Sequence, residues 1–323
     1  MEELLKISII IPVHNSEATL DRCVNSVLMQ RYKNIECILI ENGSLDNSKS
    51  LCIDYAEKYE NIIFKSVKTT GVSEARNVGL SMATGDIIGF CDADDFLEID
   101  AFDAVVNEFV ENSSIVAVFG GFNEGNCDDN NCIHKVYRGI KEQTISIKKA
   151  LQFTLVNDSV MGSVWNKYYR ADFLKNIKFD RELKFCEDMH FNALVLDSIE
   201  STYCVKIVNI PLYCYMENPS SVTHDEGILF DENDELKYIV ALKKIDAECK
   251  LDSITRSFLK MKLACFAIDF LMNGKLDQRK KNMLLIELRK NYLHLLKNIF
   301  VNNWKWNIKR VFYGCKILLR EGK

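Results

Sequence analysis

The strongest constraint on this chain lies in its first hundred residues, where short β-branched apolar runs alternate with stretches of helical periodicity. Ile7 to Val13 is an apolar run that ends in a turn, as a strand covered on both faces does. Glu17 to Met29 follows with Leu20, Cys23, Val24, Val27 and Leu28 at helical spacing. The pattern repeats: strand at Ile35 to Ile40, helix from Ser48 to Glu60, strand at Ile62 to Val67, helix over Ser73 to Met82, and strand at Asp86 to Cys91. Crossovers of this length are right-handed and build a mainly parallel sheet with helices on both faces. Ligands on such sheets bind beyond the carboxyl ends of the strands. The polar clusters His14-Asn15, Glu41-Asn42 and Asp92-Ala93-Asp94 each follow a predicted strand directly.

Beyond Phe102 the pattern loosens into mixed α+β, with a polar loop at Asn123 to Asn131, an aromatic-rich stretch at Trp165 to Arg170 and another polar loop at Glu217 to Gly227. From there the chain reads as helical to its end. Length allows this: 323 residues at 48% hydrophobic supply one large α/β domain and a smaller helical one. The expected division is residues 1–225, with a ligand-binding half at 1–100 and a second half at 101–225, followed by a helical region at 226–323.

A net charge of −5 argues against a nucleic-acid binder, which needs clustered basic charge. The charge is uneven. Residues 278 to 323 hold twelve Lys/Arg against Glu287 and Glu321, a local +10, which leaves −15 on the preceding 277. In that basic tail Leu284, Leu285, Leu288, Leu295, Leu296, Ile299 and Phe300 recur near helical spacing, with Trp304, Trp306, Phe312 and Tyr313 after them. Two readings stand equally: a basic amphipathic surface lying on anionic membrane, or helices packing their apolar face on the rest of the chain or on a second subunit as a homodimer. The 12 scattered cysteines form no C-x-x-C and read as small buried hydrophobes in a reducing compartment. Together with the lack of a secretory signal or of a run long enough to span a bilayer, this points to a cytoplasmic protein, soluble or peripheral on the inner face of the membrane.

Asp92 and Asp94 are one residue apart, so at an extended strand end both carboxylates point the same way. Such a pair suits Mg²⁺ or Mn²⁺, which take few protein carboxylates and complete their shell with phosphates and water. Alone, a D-x-D is weak and reads equally as solvated acids. Gly71 to Gly79, G-V-S-E-A-R-N-V-G, is a glycine turn into a helix start carrying Arg76, an arrangement that suits an anion or an ordinary exposed helix.

Five motifs in order carry a resemblance: P-V-H-N at 12 to 15, E-N-G-S-L-D-N-S at 41 to 48, G-V-S-E-A-R-N-V-G at 71 to 79, D-A-D-D at 92 to 95 and E-D at 187 to 188. Over about residues 6 to 224 the chain resembles the family 2 glycosyltransferases. The resemblance implies a GT-A fold, a nucleotide-sugar donor with UDP favoured, a divalent metal and inversion at the anomeric carbon. Carried over by position, Pro12, Val13, Asn15 and Glu17 line the base and ribose pocket, and Glu41 or Asn42 reads the uracil edge in place of the family's commoner D-D-G-S. Arg76 approaches the diphosphate. Asp92 with Ala93 contacts ribose or metal, and Asp94 is the principal metal ligand. Asp188 matches the catalytic base, with Glu187 beside it as a helper or structural acid. Trp165-Asn166-Lys167 resembles an acceptor-side segment, although a buried tryptophan is the more frequent case. His224 is a third candidate metal ligand, at the end of a late loop where Met216 replaces the usual basic residue. The acceptor implied is a saccharide or lipid-linked saccharide. A nucleotidyltransferase on a similar sheet, or a non-catalytic nucleotide-sugar-binding module, are the alternatives.

Overall fold

The computed structural model describes residues 4–68, 71–126, 139–157, 162–217, 236–273, 276–300 and 304–320. The first half follows the expected alternation: β1 (Ile7–Val13), α1 (Leu20–Leu28), β2 (Ile35–Glu41), α2 (Ser48–Lys58), β3 (Ile62–Ser66), α3 (Val72–Met82) and β4 (Ile87–Phe90). β1 pairs in parallel with β2 and β4, and β2 with β3. Every residue of β2 is buried, as a strand covered on both faces requires.

Next come β5 (Phe96–Leu97), α4 (Ala101–Glu111), β6 (Ile115–Asn126), β7 (Gln143–Ser146), α5 (Ile147–Val156), β8 (Lys167–Arg170), α6 (Glu187–Ser198) and β9 (Cys204–Glu217). The sheet runs β3-β2-β1-β4-β8-β6-β9-β5, with β7 on β9. It becomes mixed beyond β4, because β8 lies antiparallel to both β4 and β6, while β6 and β9 are parallel. One expectation needs correction: Asn123 to Asn126 is not loop but the end of β6. Its backbone pairs with Cys214 to Glu217, so partner hydrogen bonds override the weak strand preference of Asn and Gly. Residues 127–131 and 218–227 of the two expected loops lie outside the described residues.

Among the described residues four helices follow: α7 (Lys237–Glu248), α8 (Ser253–Asn273), α9 (Gln278–Lys297) and α10 (Trp304–Arg320). Leu242, Ile245, Leu259, Ala264, Leu284, Leu288 and Leu295 join Leu155, Met189 and Leu196 of α5 and α6 in one hydrophobic core. Polar clasps fix this docking. His190 of α6 meets Glu248 of α7 at 2.7 Å, and the Lys262 ammonium donates to the Leu155 carbonyl at 2.7 Å. The packing reading of the tail therefore holds for its inner face. Among the described residues no helix is long and apolar enough to cross a membrane, and no cysteine is in a disulfide.

Candidate active site

The loops after β1 and β2 are knitted together by their own polar side chains. Asn15, in the left-handed region at φ 49 that asparagine tolerates, accepts from the Leu45 amide through Oδ1 at 2.8 Å. Glu17 accepts from the Asn47 amide and side chain, and the Asn42 amide donates to the Val13 carbonyl. Val13 is fully buried; Pro12 is half-buried, and Asn15 and Glu17 are exposed at the rim. Glu41 is 2% exposed and uses both oxygens internally, accepting from the Ser44 amide and the Ser66 hydroxyl, each at 2.6 Å. Burial opposes its charge, but these hydrogen bonds hold its carboxyl below the ordinary range. Asn42 Oδ1 accepts from the Gly71 amide at 3.2 Å, which sets the turn into α3. Gly71 sits there at φ 134, where a side chain would be strained.

Arg76, on the second turn of α3, is 3% exposed and meets three carboxylates. One guanidinium nitrogen donates to Asp92 at 2.9 Å, and the other to Glu187 at 2.9 Å and Asp188 at 2.5 Å. Its face lies 5.4 Å from the Phe179 ring. Gly79 lets α3 come this close to the sheet, since a Cβ there would meet Ile10 Cγ2 at 2.3 Å. Burial disfavours the charge on Arg76, but Asp188, Asp92 and Glu187 together raise its pKa above the ordinary value. The acids arrive from two directions: Asp92 from the end of β4, Glu187 and Asp188 from the first turn of α6, where the helix dipole favours negative charge. Cys186, at φ 57, turns the chain sharply into that helix. Burial pushes the Asp188 carboxyl well above the usual range; Arg76 pulls it down, and Glu187 and Asp92 add to the rise.

In the D-A-D-D loop burial alternates. Cys91, Ala93 and Asp95 are buried, whereas Asp92 and Asp94 are partly open, so the two candidate metal ligands share the open side. Arg22 of α1 holds the Asp94 carbonyl at 2.5 Å. Two open carboxylates fit an octahedral cation completed by phosphates and water; among the described residues no group of three or more His, Cys, Asp or Glu is placed to bind a metal by itself. His224 lies outside the described residues.

Sequence reasoning missed the anchor beneath this loop. Asp95, 1% exposed, accepts from the Tyr213 hydroxyl and the Met216 amide, each at 2.7 Å, and the Asp92 amide donates to the same hydroxyl at 3.1 Å. No local pattern signalled it: β4 ends at Phe90, and residues 92–95 form a turn closed by the Asp95 amide on the Asp92 carbonyl at 3.1 Å, not the extended strand end expected for Asp92 and Asp94. Trp165, Asn166 and Lys167 lie inward. Trp165 is 5% exposed and stacks on Tyr213 at 4.5 Å between centroids, and Asn166 and Lys167 are fully buried.

Comparison with known proteins decides the family. The family model for glycosyl transferase family 2 matches residues 8–178. The chain belongs to that family. The uncharacterized glycosyltransferase EpsJ of Bacillus subtilis (strain 168) is 31% identical over 224 residues, 67% of this chain and 62% of EpsJ. The glycosyltransferase GlyA of Streptococcus pneumoniae serotype 4 is 30% identical over 228 residues, 68% of this chain and 31% of GlyA. The chain thus spans less than two thirds of the length of either relative. Among solved structures, S. aureus TarS 1-349 in complex with UDP-GlcNAc superposes with a TM-score of 0.69 at 17% identity, over 99% of this chain and 93% of that one. The fold of this family 2 glycosyltransferase is GT-A with a C-terminal helical region.

Proposed function

We propose that this family 2 enzyme moves a sugar from a nucleotide diphosphate donor, a UDP-sugar, to a hydroxyl of a saccharide or lipid-linked saccharide, by direct displacement with inversion. One observation carries the reading: a single buried guanidinium gathers Asp92, Glu187 and Asp188 at one place beyond the carboxyl ends of the parallel strands. Uridine as the nucleoside of the donor is supported by the UDP and UDP-GlcNAc complexes of TarS.

In this mechanism Pro12, Val13, Asn15 and Glu17 shape the nucleoside pocket. Asn42 faces the base edge, while Glu41 braces the loop that carries it. Arg76 approaches the donor diphosphate only from beneath, its charge already shared among Asp92, Glu187 and Asp188. Asp92 and Asp94, with the donor phosphates, would hold Mn²⁺ or Mg²⁺, which when bound supplies a Lewis acid for the departing diphosphate. Asp188 accepts the acceptor hydroxyl's proton as its oxygen bonds to the anomeric carbon and the bond to the β-phosphate oxygen breaks. Glu187 shares Arg76 with Asp188 and keeps that guanidinium in register. A thermal-shift screen of nucleotide sugars with and without Mn²⁺ tests donor and metal together. The expected result is stabilisation by UDP-sugars that deepens with Mn²⁺; no response to any uridine nucleotide would sink the reading.

The outer face of α10 favours a second element, contact with an anionic membrane surface. Lys305, Ile308, Lys309, Phe312, Lys316 and Leu319 are all exposed and recur every three or four residues along one side. Phe312 and Leu319 are 66% and 69% exposed, while Asn307 and Gly314 turn inward. Sedimentation with phosphatidylglycerol vesicles checks this: Phe312→Ser with Leu319→Ser should abolish pelleting that neutral vesicles never support.

A further inference from the structure

Lys167 is fully buried at the start of β8, and the proposed mechanism gives it no part. Its ammonium donates to the Ser163 carbonyl at 2.6 Å and to Asn166 Oδ1 at 2.8 Å, and lies 5.1 Å from the Phe119 ring centroid. Asn166 in turn donates to the Gly120 carbonyl at 3.1 Å, tying the group to β6. From the other side Asn192 of α6 donates to the Gly162 carbonyl at 2.6 Å and the Ser163 carbonyl at 3.1 Å. The Tyr169 hydroxyl fixes Asn192 by donating to its Oδ1 at 2.7 Å. Gly162 has no room for a side chain, because a Cβ would lie 2.7 Å from Met189 Cβ. The short segment 162–164 is therefore gripped on both sides, and its Val164 amide donates to Asp188 Oδ2 at 3.2 Å.

We propose that Lys167 is a positioning residue for the base: with Asn166 and Asn192 it locks the 162–164 backbone so that the Val164 amide orients the Asp188 carboxylate toward the acceptor hydroxyl. This rests on the reading of Asp188 as the base. The energetics support it. A buried ammonium costs several kcal/mol in lost hydration, and an apolar isostere is often neutral or stabilising in its place. Packing alone gives no reason for a lysine here; a donor that must hold the Ser163 carbonyl and Asn166 Oδ1 together does. Arg76 supplies one positive charge against the three carboxylates it touches, so the Val164 amide is a further donor that Asp188 uses. Burial lowers the Lys167 pKa to about 7 even against the upward pull of Asp188, so the two groups sense one another. The charged and titratable groups around Asp188 are then Arg76 from α3, Asp92 from the β4 loop, Lys167 and Tyr169 from β8, and Cys186 and Glu187 at the start of α6.

The test is a double-mutant cycle on the full chain with Lys167→Met and Asp188→Asn, following UDP release from the best donor of the thermal screen. A positioning role predicts that Lys167→Met lowers kcat by about 10- to 100-fold, the loss expected from a misplaced reacting group. Donor KM and UDP affinity should stay within about twofold, and the same substitution should cost almost nothing once Asp188 is Asn. Equal losses in both backgrounds, or a loss confined to KM, would overturn the proposal. Full activity in Asp188→Asn alone would instead remove the base itself. Should Lys167→Met fail to fold, Asn192→Ala, which loosens the same carbonyls, carries the identical cycle.

Discussion

Arg76→Met isolates the electrostatics of the site. The substitution keeps much of the apolar bulk of the side chain over Phe179 while deleting the cation that three carboxylates share. Breaking a buried ion pair by removing one partner costs about 3–5 kcal/mol. Here Arg76 is 4% exposed at its side chain, but Asp92, Glu187 and Asp188 keep 29%, 15% and 17%, so water screens part of the uncompensated charge. The expected loss is about 3 kcal/mol near neutral pH, the lower end of that range. Its pH dependence follows from linkage. Without the guanidinium the Asp188 carboxyl, already pushed up to about 8 by burial, rises further, so above that pH the folded variant holds a proton that the unfolded chain lacks. Stability then falls as pH increases through that interval, and the deficit shrinks toward acid. Urea unfolding of both proteins at about pH 6 and about pH 9, on either side of the Asp188 titration, measures the two differences. A loss under about 1 kcal/mol that is equal at both pH values would refute the argument, since it would mean that the acids neither need Arg76 nor repel one another.

Asp188→Asn should bind UDP and Mn²⁺ as the parent does while turnover drops about 10²- to 10⁴-fold, read from single-turnover assays. Because Asp188 holds its proton above the ordinary carboxylate range, kcat/KM of the parent should rise with pH as that proton leaves; the acid limb should lie well above the ordinary 3.8, and a limb at 3.8 would show an unperturbed base. Asp94→Asn should remove the Mn²⁺-dependent part of the thermal shift and spare much of the metal-free UDP response. Glu41→Ala deletes acceptors for the Ser44 amide and Ser66 hydroxyl and should cost about 1–3 kcal/mol in urea unfolding.

The first hundred residues were legible because their strands are covered on both faces and their helices have one buried side, two periods that leave little ambiguity. β1 begins and ends where the apolar run does, and β2 and α3 each exceed their sequence limits by one residue. The stretch from 101 to 217 was not. β6 and β9 pair across a distance in sequence that no local pattern records, and register shifts at Ala117 and Gly121 break the alternation a reader would seek. Motif order brought Asp188 to the Arg76 site. It did not reveal that Glu41 spends both oxygens on its own loop, or that Lys167 points inward, because composition does not say which partner a polar side chain finds.

The placement of the acids explains why the helical tail is more than an appendage. Glu187 and Asp188 open α6, and their position relative to Arg76 is only as fixed as that helix. α6 has α5 packed on one flank and α7 on another, with His190 clasping Glu248 one turn beyond the two acids. Leu284, Leu288 and Leu295 bury α9 in the same core that receives Met189, the residue after Asp188. Loss of α9 and α10 would expose that core and free α6 to shift. A truncation at residue 277 should therefore lose activity together with cooperative unfolding, whether or not a membrane is present. The exposed side of α10 contributes nothing to that core, so Phe312→Ser with Leu319→Ser should leave the thermal midpoint within about 2 °C, as surface substitutions do. A larger drop would place those side chains in structural packing and remove the case for a lipid-facing surface.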